Sequence, residues 1–451
     1  MLQKQKIFEK QKLSDIFSKL GFNKFRNMYI KSLLSLLIIS FLTFPISANS
    51  QDLELATPED VGISSKRISG LTNVFEEYID NDKLSGAVTL IARKNKIIYY
   101  KAIGKSDLED KSEMKEDAIF RIASQTKAIV SVGIMILQEE GKLLISDPLS
   151  KYIPEFKESK VAVSNEDGSY SIVKAVREIT LRDLLTHTAG IGYGQGIASD
   201  LWEQASIQGW YFAHRNEPLL ETIKRMGNLP NDAHPGERFV YGYNTDILGA
   251  VIEVVSGQSL ASFLQTKILD PLKMEDTHFY LPKEKANRLA TVYSSTNKGI
   301  KRAPDTGTMI SQGAYIDGPR KSFSGGAGLL STAKDYAQFL QMMLNGGTFN
   351  GNRILSRKSI ELMTTDHIGN KSFSWSGGTG FGLGFSVVTD LGVRGQMGTK
   401  GEYGWGGAYH STYWVDPKEE LIVVYFTQLI PAENIDDHEK LRNLVYQSII
   451  D

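Results

Sequence analysis

The chain has 451 residues, of which 41% are hydrophobic and 23% are charged, a balance typical of a globular protein with a substantial core. The net charge of −1 and the lack of a basic cluster argue against nucleic acid as a partner. The sequence contains no cysteine, which excludes disulfides, thiolate metal ligands and a cysteine nucleophile.

The first 50 residues have the pattern of a secretory signal peptide. Three basic residues between positions 24 and 31 precede an apolar run at 33–44, and small residues follow up to Ser50. The run is shorter than the ~20 residues of a membrane span, so we predict cleavage and export to the periplasm or the medium. The alternative is a retained membrane anchor. Removal of residues 1–50 takes away eight Lys or Arg and two Asp or Glu, which leaves 43 basic and 50 acidic residues, about −7 net.

Hydrophobic periodicity and turn residues predict the helices and strands in chain order. The predicted elements are a helix at 65–80, a hairpin of 88–93 and 97–103, a helix at about 124–140, apolar helical pieces at 179–185, 221–226 and 246–255, a helix at 333–344, a hairpin of 410–415 and 421–427, and a last helix at about 437–450. The region from about 140 to 325 otherwise consists of long loops.

Strands therefore lie at both ends of the chain and helices in the middle. This order predicts an α/β fold in which one antiparallel sheet is built from both termini and flanked by helices. A mostly helical lobe, about 124–328, is inserted between the two parts of a sheet lobe, about 51–123 and 329–451. A pocket between the lobes is the natural place for a site.

Ser124 and Lys127 lie three residues apart at the start of a predicted helix, so their side chains share one face. A serine nucleophile needs a base in contact with it, and the positive end of a helix favours both an alkoxide and a neutral lysine. Ser-x-x-Lys is common by chance, however. The alternative is an N-cap serine beside a solvated lysine, as at Ser65.

The surrounding sequence favours catalysis. The run FRIASQTKAIVSVGIMILQEEGKLLISDPLSKYIPEF (120–156) resembles the class C β-lactamase and penicillin-recognising serine hydrolase superfamily. So do LRDLLTHTAGI (181–191), PGERFVYGYNTDILG (235–249), SGGAGLLSTAKDYAQFLQMMLNGG (324–347), FGLGF (381–385) and GWGGAYHSTYWVDP (404–417). The matches follow the family's order over nearly the whole exported part. The resemblance implies a β-lactamase-like fold and a Ser124 acyl-enzyme that needs no cofactor.

The family's second motif is Tyr-x-Asn, and the resemblance assigns Tyr241 the role of shuttling a proton among Ser124, Lys127 and the leaving group. Tyr243 stands where the asparagine is usual, and we expect it to contact substrate or to pack the lobe interface. Asp246, before Ile-Leu-Gly, brings this segment close to family VIII carboxylesterases.

The third motif is Lys-Thr-Gly in β-lactamases, and here it is Trp405-Gly406-Gly407, again the family VIII form. The resemblance implies an edge strand beside the nucleophile, with the backbone N–H groups of Ala408 and Ser124 as the oxyanion hole. Tryptophan cannot hold the carboxylate of a β-lactam or a peptide C-terminus as lysine does. Esters are therefore favoured over β-lactams.

The rival Ser-His-Asp triad has little support, since none of the seven histidines lies near a G-x-S-x-G pentapeptide. No His-Glu-x-x-His or other spaced ligand set predicts a metal. Three hypotheses remain: an esterase, a D-amino-acid peptidase or amidase or else a weak β-lactamase, and a catalytically silent scaffold. The first two act on a small-molecule ester or amide.

Overall fold

The computed structural model describes residues 53–369, 371 and 376–451. The predicted signal peptide, 1–50, lies outside the described residues, and its cleavage stays a prediction. The α-helices are Ser65–Ile68, Gly70–Asp80, Thr126–Glu139, Leu181–Leu185, Ser199–Gln204, Leu219–Met226, Asn244–Ser256, Leu260–Leu264, Ala333–Leu344, Arg357–Met363, Leu391–Arg394 and Asp437–Tyr446. Short 3₁₀ turns are Pro58–Val61, Ala123–Gln125, Leu149–Lys151, Pro154–Phe156 and Lys283–Arg288, and Gln265–Leu269 is a π-turn.

The strands are β1 (Glu54–Leu55), β2 (Gly86–Arg93), β3 (Lys96–Asp107), β4 (Ser112–Glu113), β5 (Phe120–Arg121), β6 (Lys160–Ser164), β7 (Tyr170–Lys174), β8 (Pro230–Asn231), β9 (Tyr293–Thr296), β10 (Gly299–Arg302), β11 (Leu330–Ser331), β12 (Thr348–Phe349), β13 (Asn352–Arg353), β14 (Thr379–Phe381), β15 (Ser386–Val388), β16 (Tyr403–Gly407), β17 (Ser411–Asp416) and β18 (Leu421–Thr427).

The large sheet joins the two ends of the chain. In the described residues its order is β1-β3-β2-β18-β17-β16-β15-β14, with β4 paired to β3. The C-terminal β18 pairs antiparallel with the N-terminal β2 along all of its seven residues. Among the described strands of this sheet, β1 at the edge is the one that pairs in parallel, with β3. The predicted α/β fold with a sheet from both termini is confirmed.

Both faces of this sheet are covered, so its central strands are apolar on both sides. Along β18, Val424 and Phe426 face one core while Val423 and Tyr425 face the other, as the two-residue repeat of a strand requires. Gly70–Asp80 and the C-terminal helix (Asp437–Tyr446) contribute side chains to the second core. The first core includes the helix Ala333–Leu344 and extends into the helical region. The strands that carry the site are thus fixed from both sides.

The central helix (Thr126–Glu139) is buried along nearly its whole length, from Thr126 to Leu137. It is apolar on almost every face, which is the pattern of a helix inside a core rather than on a surface. It packs against the helix Asn244–Ser256, where Gly133 lies next to Ile252. The central helix therefore holds its first turn, and Lys127 with it, in a fixed position.

The structure corrects several sequence-based boundaries. The first predicted helix is broken at Ser69, and the central helix begins at Thr126, after a 3₁₀ turn that carries Ser124. The region predicted as helices and loops also contains β6, β7 and β8 as a small sheet and β9 with β10 as a hairpin. Most residues of β6 and β7 are exposed, so the sequence has no apolar alternation that predicts these strands.

None of the described helices is by itself long and apolar enough to cross a membrane. One bent pair, Asn244–Ser256 with Leu260–Leu269, meets the length and composition requirements together.

A buried ion pair connects the start of β16 to the C-terminal helix. The Arg442 guanidinium donates to both carboxylate oxygens of Glu402, at 2.8 Å each, and the Tyr446 hydroxyl donates to the same carboxylate at 2.7 Å. Only 2% of the Glu402 side chain is exposed. Removing one partner of such a pair leaves an uncompensated buried charge, which is strongly destabilising.

We therefore expect Glu402→Ala to lower the free energy of unfolding by about 3–5 kcal/mol. The matched control is Glu113→Ala, whose partner Lys105 lies on the surface and whose side chain is 70% exposed. That change should cost less than about 1 kcal/mol. Denaturant unfolding followed by fluorescence measures both. Equal losses for the two variants would show that the Glu402 pair contributes no more than a surface pair.

Candidate active site

Ser124 lies in the 3₁₀ turn Ala123–Gln125, between β5 and the central helix. The turn is anchored on both sides, because β5 pairs with β11 and the Gln125 carbonyl accepts a hydrogen bond from the buried Tyr336 hydroxyl at 2.9 Å. Ala123 has φ of +43°, in the left-handed region that a residue with a Cβ rarely adopts. Such backbone strain persists only where the surroundings impose it, and it is frequent at functional sites.

Lys127 lies in the first turn of the central helix and is only 2% exposed. Its Nζ donates to three oxygens: Ser124 Oγ at 3.3 Å, the Tyr193 hydroxyl at 3.1 Å and the Gly326 carbonyl at 2.7 Å. Lys127 Nζ also lies 4.7 Å from the centre of the Tyr241 ring, within cation–π range. The three oxygens and the ring hold the buried Nζ in one position.

Tyr241 lines the same cavity as Ser124. Its hydroxyl accepts a hydrogen bond from the Trp405 indole N–H at 3.0 Å. On its other side the ring packs 4.6 Å from the ring of His187. Burial and the nearby Lys127 charge hold the pKa of His187 well below its ordinary value, so His187 is a neutral packing partner here. Tyr241 is thereby fixed between the second and third motif segments.

β16 brings Trp405, Gly406 and Gly407 to the nucleophile. Its pairing with β15 stops at Gly404, so the next three residues form an edge of the described sheet. A Cβ on Gly407 would lie 2.6 Å from the Ile122 carbonyl oxygen, two residues before Ser124. Only glycine allows the strand to approach the nucleophile turn this closely. Ala408, directly after the strand, lines the cavity together with Ser124.

The cavity at Ser124 has a volume of about 390 Å³. Its described lining residues carry no charged side chain and are Ser124, Tyr193, Trp210, Tyr241, Trp405, Gly406, Gly407 and Ala408. A larger, more polar cavity of about 580 Å³ adjoins it and shares Tyr193 and Tyr241. The walls next to the nucleophile are aromatic, and a polar extension of the substrate has room beyond them.

A family model for Beta-lactamase matches residues 71–446. The chain belongs to the Beta-lactamase family. Protein Rv1367c of Mycobacterium tuberculosis is 34% identical over 373 residues, which are 80% of this chain and 90% of that protein. Esterase EstB of Burkholderia gladioli is 30% identical over 370 residues, 79% of this chain and 89% of its own. Among solved structures, EstCE1, a hydrolase with promiscuous acyltransferase activity, matches with a TM-score of 0.73 at 27% identity and covers 85% of this chain and 98% of that one.

The family resemblance drawn from the motifs is confirmed by these matches. Of the residues that the motifs single out, the structure brings Ser124, Lys127 and Tyr241 together, and it places Trp405-Gly406-Gly407 and Ala408 around the same cavity. The roles of these residues in a reaction are the subject of the proposal below.

Tyr193 belongs to the site and was missed by the sequence analysis. Its hydroxyl accepts from Lys127, and its ring packs edge-on against Tyr241 at 5.8 Å. Burial, and then the neighbouring Tyr241 and Asp246, raise the pKa of Tyr193 well above its ordinary value, so it is a neutral phenol. The available signal was a tyrosine among three glycines (Gly190, Gly192, Gly194) directly after the LLTHTAG motif.

The structure does not place Tyr243 at the cavity, which corrects its assignment to substrate binding. The side chain is fully buried against Trp202 and Phe212, and its hydroxyl donates to the Gly209 carbonyl at 2.7 Å. The next residue, Asn244, donates to the Ile191 carbonyl at 3.1 Å. Both residues hold the loop that carries Tyr193 against the helix Asn244–Ser256.

One group of described residues brings potential metal ligands together: ligand atoms of His410, Asp437 and His438 lie within 4.8 Å of one another. The Asp437 carboxylate already accepts from His410 Nε2 and from the Tyr425 hydroxyl, each at 2.7 Å, and from the His438 N–H at 3.0 Å. These bonds connect the turn after β16 to the C-terminal helix. We assign the group this structural role, and His410 is not among the residues that line the cavity at Ser124.

We expect Gly407→Ala to slow the reaction of Ser124 with a fluorophosphonate by at least about 100-fold, the loss typical of one oxyanion-hole donor. The added Cβ forces β16 away from the Ser124 turn. Gly70→Ala is the matched control, since an added Cβ there would meet only the Leu444 side chain at 4.0 Å and Gly70 does not line the cavity. Stopped-flow or gel-based labelling rates measure both variants. A Gly407 variant that is labelled as fast as the Gly70 variant contradicts this account of the strand's position.

Proposed function

We propose that the protein is a serine hydrolase that cleaves carboxylic esters through an acyl-enzyme on Ser124. The observation that carries the proposal is the contact of the Ser124 hydroxyl with the buried Lys127 amine, at 3.3 Å, on a cavity whose described walls are uncharged. The names of two relatives, the esterase EstB and the hydrolase EstCE1, support the same class of reaction.

Ser124 Oγ attacks the ester carbonyl while its proton passes to the Lys127–Tyr241 pair. Lys127 contacts the serine directly, and Tyr241 lies against the lysine with its hydroxyl oriented by the Trp405 indole. The backbone N–H groups of Ser124 and Ala408 hold the oxyanion. The pair then returns the proton to the alcohol that leaves.

The acyl-enzyme is hydrolysed by the reverse proton transfers. The Lys127–Tyr241 pair takes a proton from water, which attacks the acyl carbon, and Ser124 recovers its proton when the acid departs. In both steps the negative charge that develops on the carbonyl oxygen is stabilised by the backbone N–H groups of Ser124 and Ala408. These steps use no metal or cofactor.

Trp405 and Trp210 form much of the wall beside the nucleophile. Neither side chain can form an ion pair with a substrate carboxylate, and among the described residues that line this cavity no other side chain can. The cavity therefore suits a neutral acyl group. β-Lactams and peptides that end in D-alanine carry a carboxylate next to the scissile bond. The uncharged cavity therefore argues against both classes as substrates.

We expect Ser124→Ala to abolish both ester hydrolysis and covalent labelling by a fluorophosphonate. The matched control is Ser65→Ala, another serine at the start of a helix beside a lysine, but exposed and part of no cavity described above. It should be labelled like wild type. Labelling of Ser124→Ala at the wild-type rate excludes Ser124 as the nucleophile, and a folded wild-type protein that is never labelled favours the silent scaffold.

Substrate preference is tested separately with a panel of p-nitrophenyl acyl esters, nitrocefin and D-Ala-D-Ala peptides. We expect kcat/KM for a neutral short-chain ester to exceed that for nitrocefin or the peptides by at least about 100-fold, since a carboxylate left unpaired against aromatic walls costs a few kcal/mol. A higher kcat/KM for the D-Ala peptides would favour the peptidase alternative instead.

A further inference from the structure

Asp246 is a carboxylate buried inside the protein next to the active site. It lies in the first turn of the helix Asn244–Ser256 and is 1% exposed. Its Oδ1 accepts hydrogen bonds from Ser324 Oγ at 2.6 Å and from the Gly326 N–H at 3.0 Å. Its Oδ2 accepts no hydrogen bond from the described residues. A buried carboxylate with one oxygen unsatisfied is costly unless a nearby charge compensates for it.

The compensating charge is Lys127. Gly326, whose N–H binds Asp246, also presents its carbonyl to Lys127 Nζ at 2.7 Å. A Cβ on Gly326 would lie 2.2 Å from Asp246 Oδ2, so this residue must be a glycine for the carboxylate to approach so closely. One residue, Gly326, therefore links the two buried side chains through hydrogen bonds at its N–H and at its carbonyl.

The titratable groups that face this pair are Tyr193, Tyr241, Tyr243 and His187. Burial, with a smaller contribution from Asp246, raises the pKa values of Tyr193 and Tyr243 and keeps both phenols neutral. Burial raises the pKa of Asp246 itself, whereas Lys127, Ser324 and the Gly326 N–H act in the opposite direction. Among the influences that favour the ionised Asp246 carboxylate, the largest is the nearby Lys127 side chain.

We propose that Asp246 is a positioning residue for the reaction: it fixes the 324–328 loop that orients the Lys127 amine, and its negative charge sets the pH range in which that amine gives up its proton. The kinetic part of this inference rests on the proposed function. An anion near Lys127 favours the ammonium form. Asp246 therefore raises the pH that the enzyme needs before its base is available.

A merely structural role would have a different signature. If Asp246 only held the loop, its loss would lower the rate at every pH and would leave the shape of the pH profile unchanged. If its charge acts on Lys127, neutralising it moves the acidic limb of kcat/KM to lower pH. The two roles are therefore separated by the profile rather than by the rate alone.

The test uses the full-length protein and Asp246→Asn, which keeps an oxygen for Ser324 and Gly326 but removes the charge. The titration midpoint of Lys127 is followed by NMR on ¹³Cε-lysine-labelled protein, with the resonance assigned by its loss in Lys127→Met. The acidic limb of kcat/KM is measured with a p-nitrophenyl ester. We expect both to move to lower pH by about one unit or more, as for removal of an opposite charge at close range.

Asp335→Asn is the matched control. Asp335 is a second buried aspartate, 6% exposed, and its carboxylate accepts from the Asp276 N–H and the Thr277 hydroxyl instead of the site. Its loss should leave the Lys127 midpoint and the acidic limb in place. A Lys127 midpoint that is the same in Asp246→Asn as in wild type overturns the proposal. A midpoint that moves while wild type hydrolyses no ester supports the charge coupling and contradicts the proposed function.

Ser324→Ala keeps the proposal testable if Asp246→Asn does not fold. This variant retains the carboxyl group but removes one of the two donors to Oδ1, so burial raises the pKa of Asp246 further and less of the anion forms. The Lys127 midpoint should then move in the same direction as in Asp246→Asn, to lower pH, but by less. An unchanged midpoint, or a move to higher pH, overturns the proposal.

Discussion

The hydrogen bonds of the buried Lys127 Nζ are the interaction on which the rest of the site depends. A polar group excluded from water must find its hydrogen-bond partners inside the protein. Lys127 finds them in three separate segments: the Ser124 turn, the loop that carries Tyr193 and the 324–328 loop. These segments lie up to two hundred residues apart in sequence, so the site exists only when the helical region and the sheet are both folded.

The sheet supplies the other half of the site. β16 is held in place because its neighbours pack on two cores, and because Glu402 at its start is paired with Arg442 of the C-terminal helix. Its last residues leave β15 and approach the nucleophile turn, which only a glycine at 407 allows. Strand β16 thus contributes Trp405 and the two glycines, while loops supply the other aromatic walls, Tyr193, Trp210 and Tyr241.

Sequence reasoning located the residues whose chemistry depends on local spacing. Ser124 and Lys127 are three residues apart, and the glycines of β16 mark a close backbone approach, so both were predictable. Tyr193 was not, because its place beside Lys127 results from tertiary packing of a loop that no periodicity describes. Tyr243 was misassigned because its motif position suggested a polar contact, whereas its ring fills the core. Most residues of β6 and β7 are exposed to solvent. These strands therefore contribute little to the core, and their sequence shows no apolar alternation that would predict a strand.

The central claim is a covalent acyl group on Ser124, and mass spectrometry after rapid acid quench tests it most directly. Trypsin cleaves after Arg121 and Lys127, so Ser124 falls in a short peptide, residues 122–127. During turnover of a p-nitrophenyl ester, the account predicts that this peptide gains the mass of one acyl group and that fragmentation places it on Ser124. Ester turnover with an acyl group on another residue, or with none on this peptide, would contradict it.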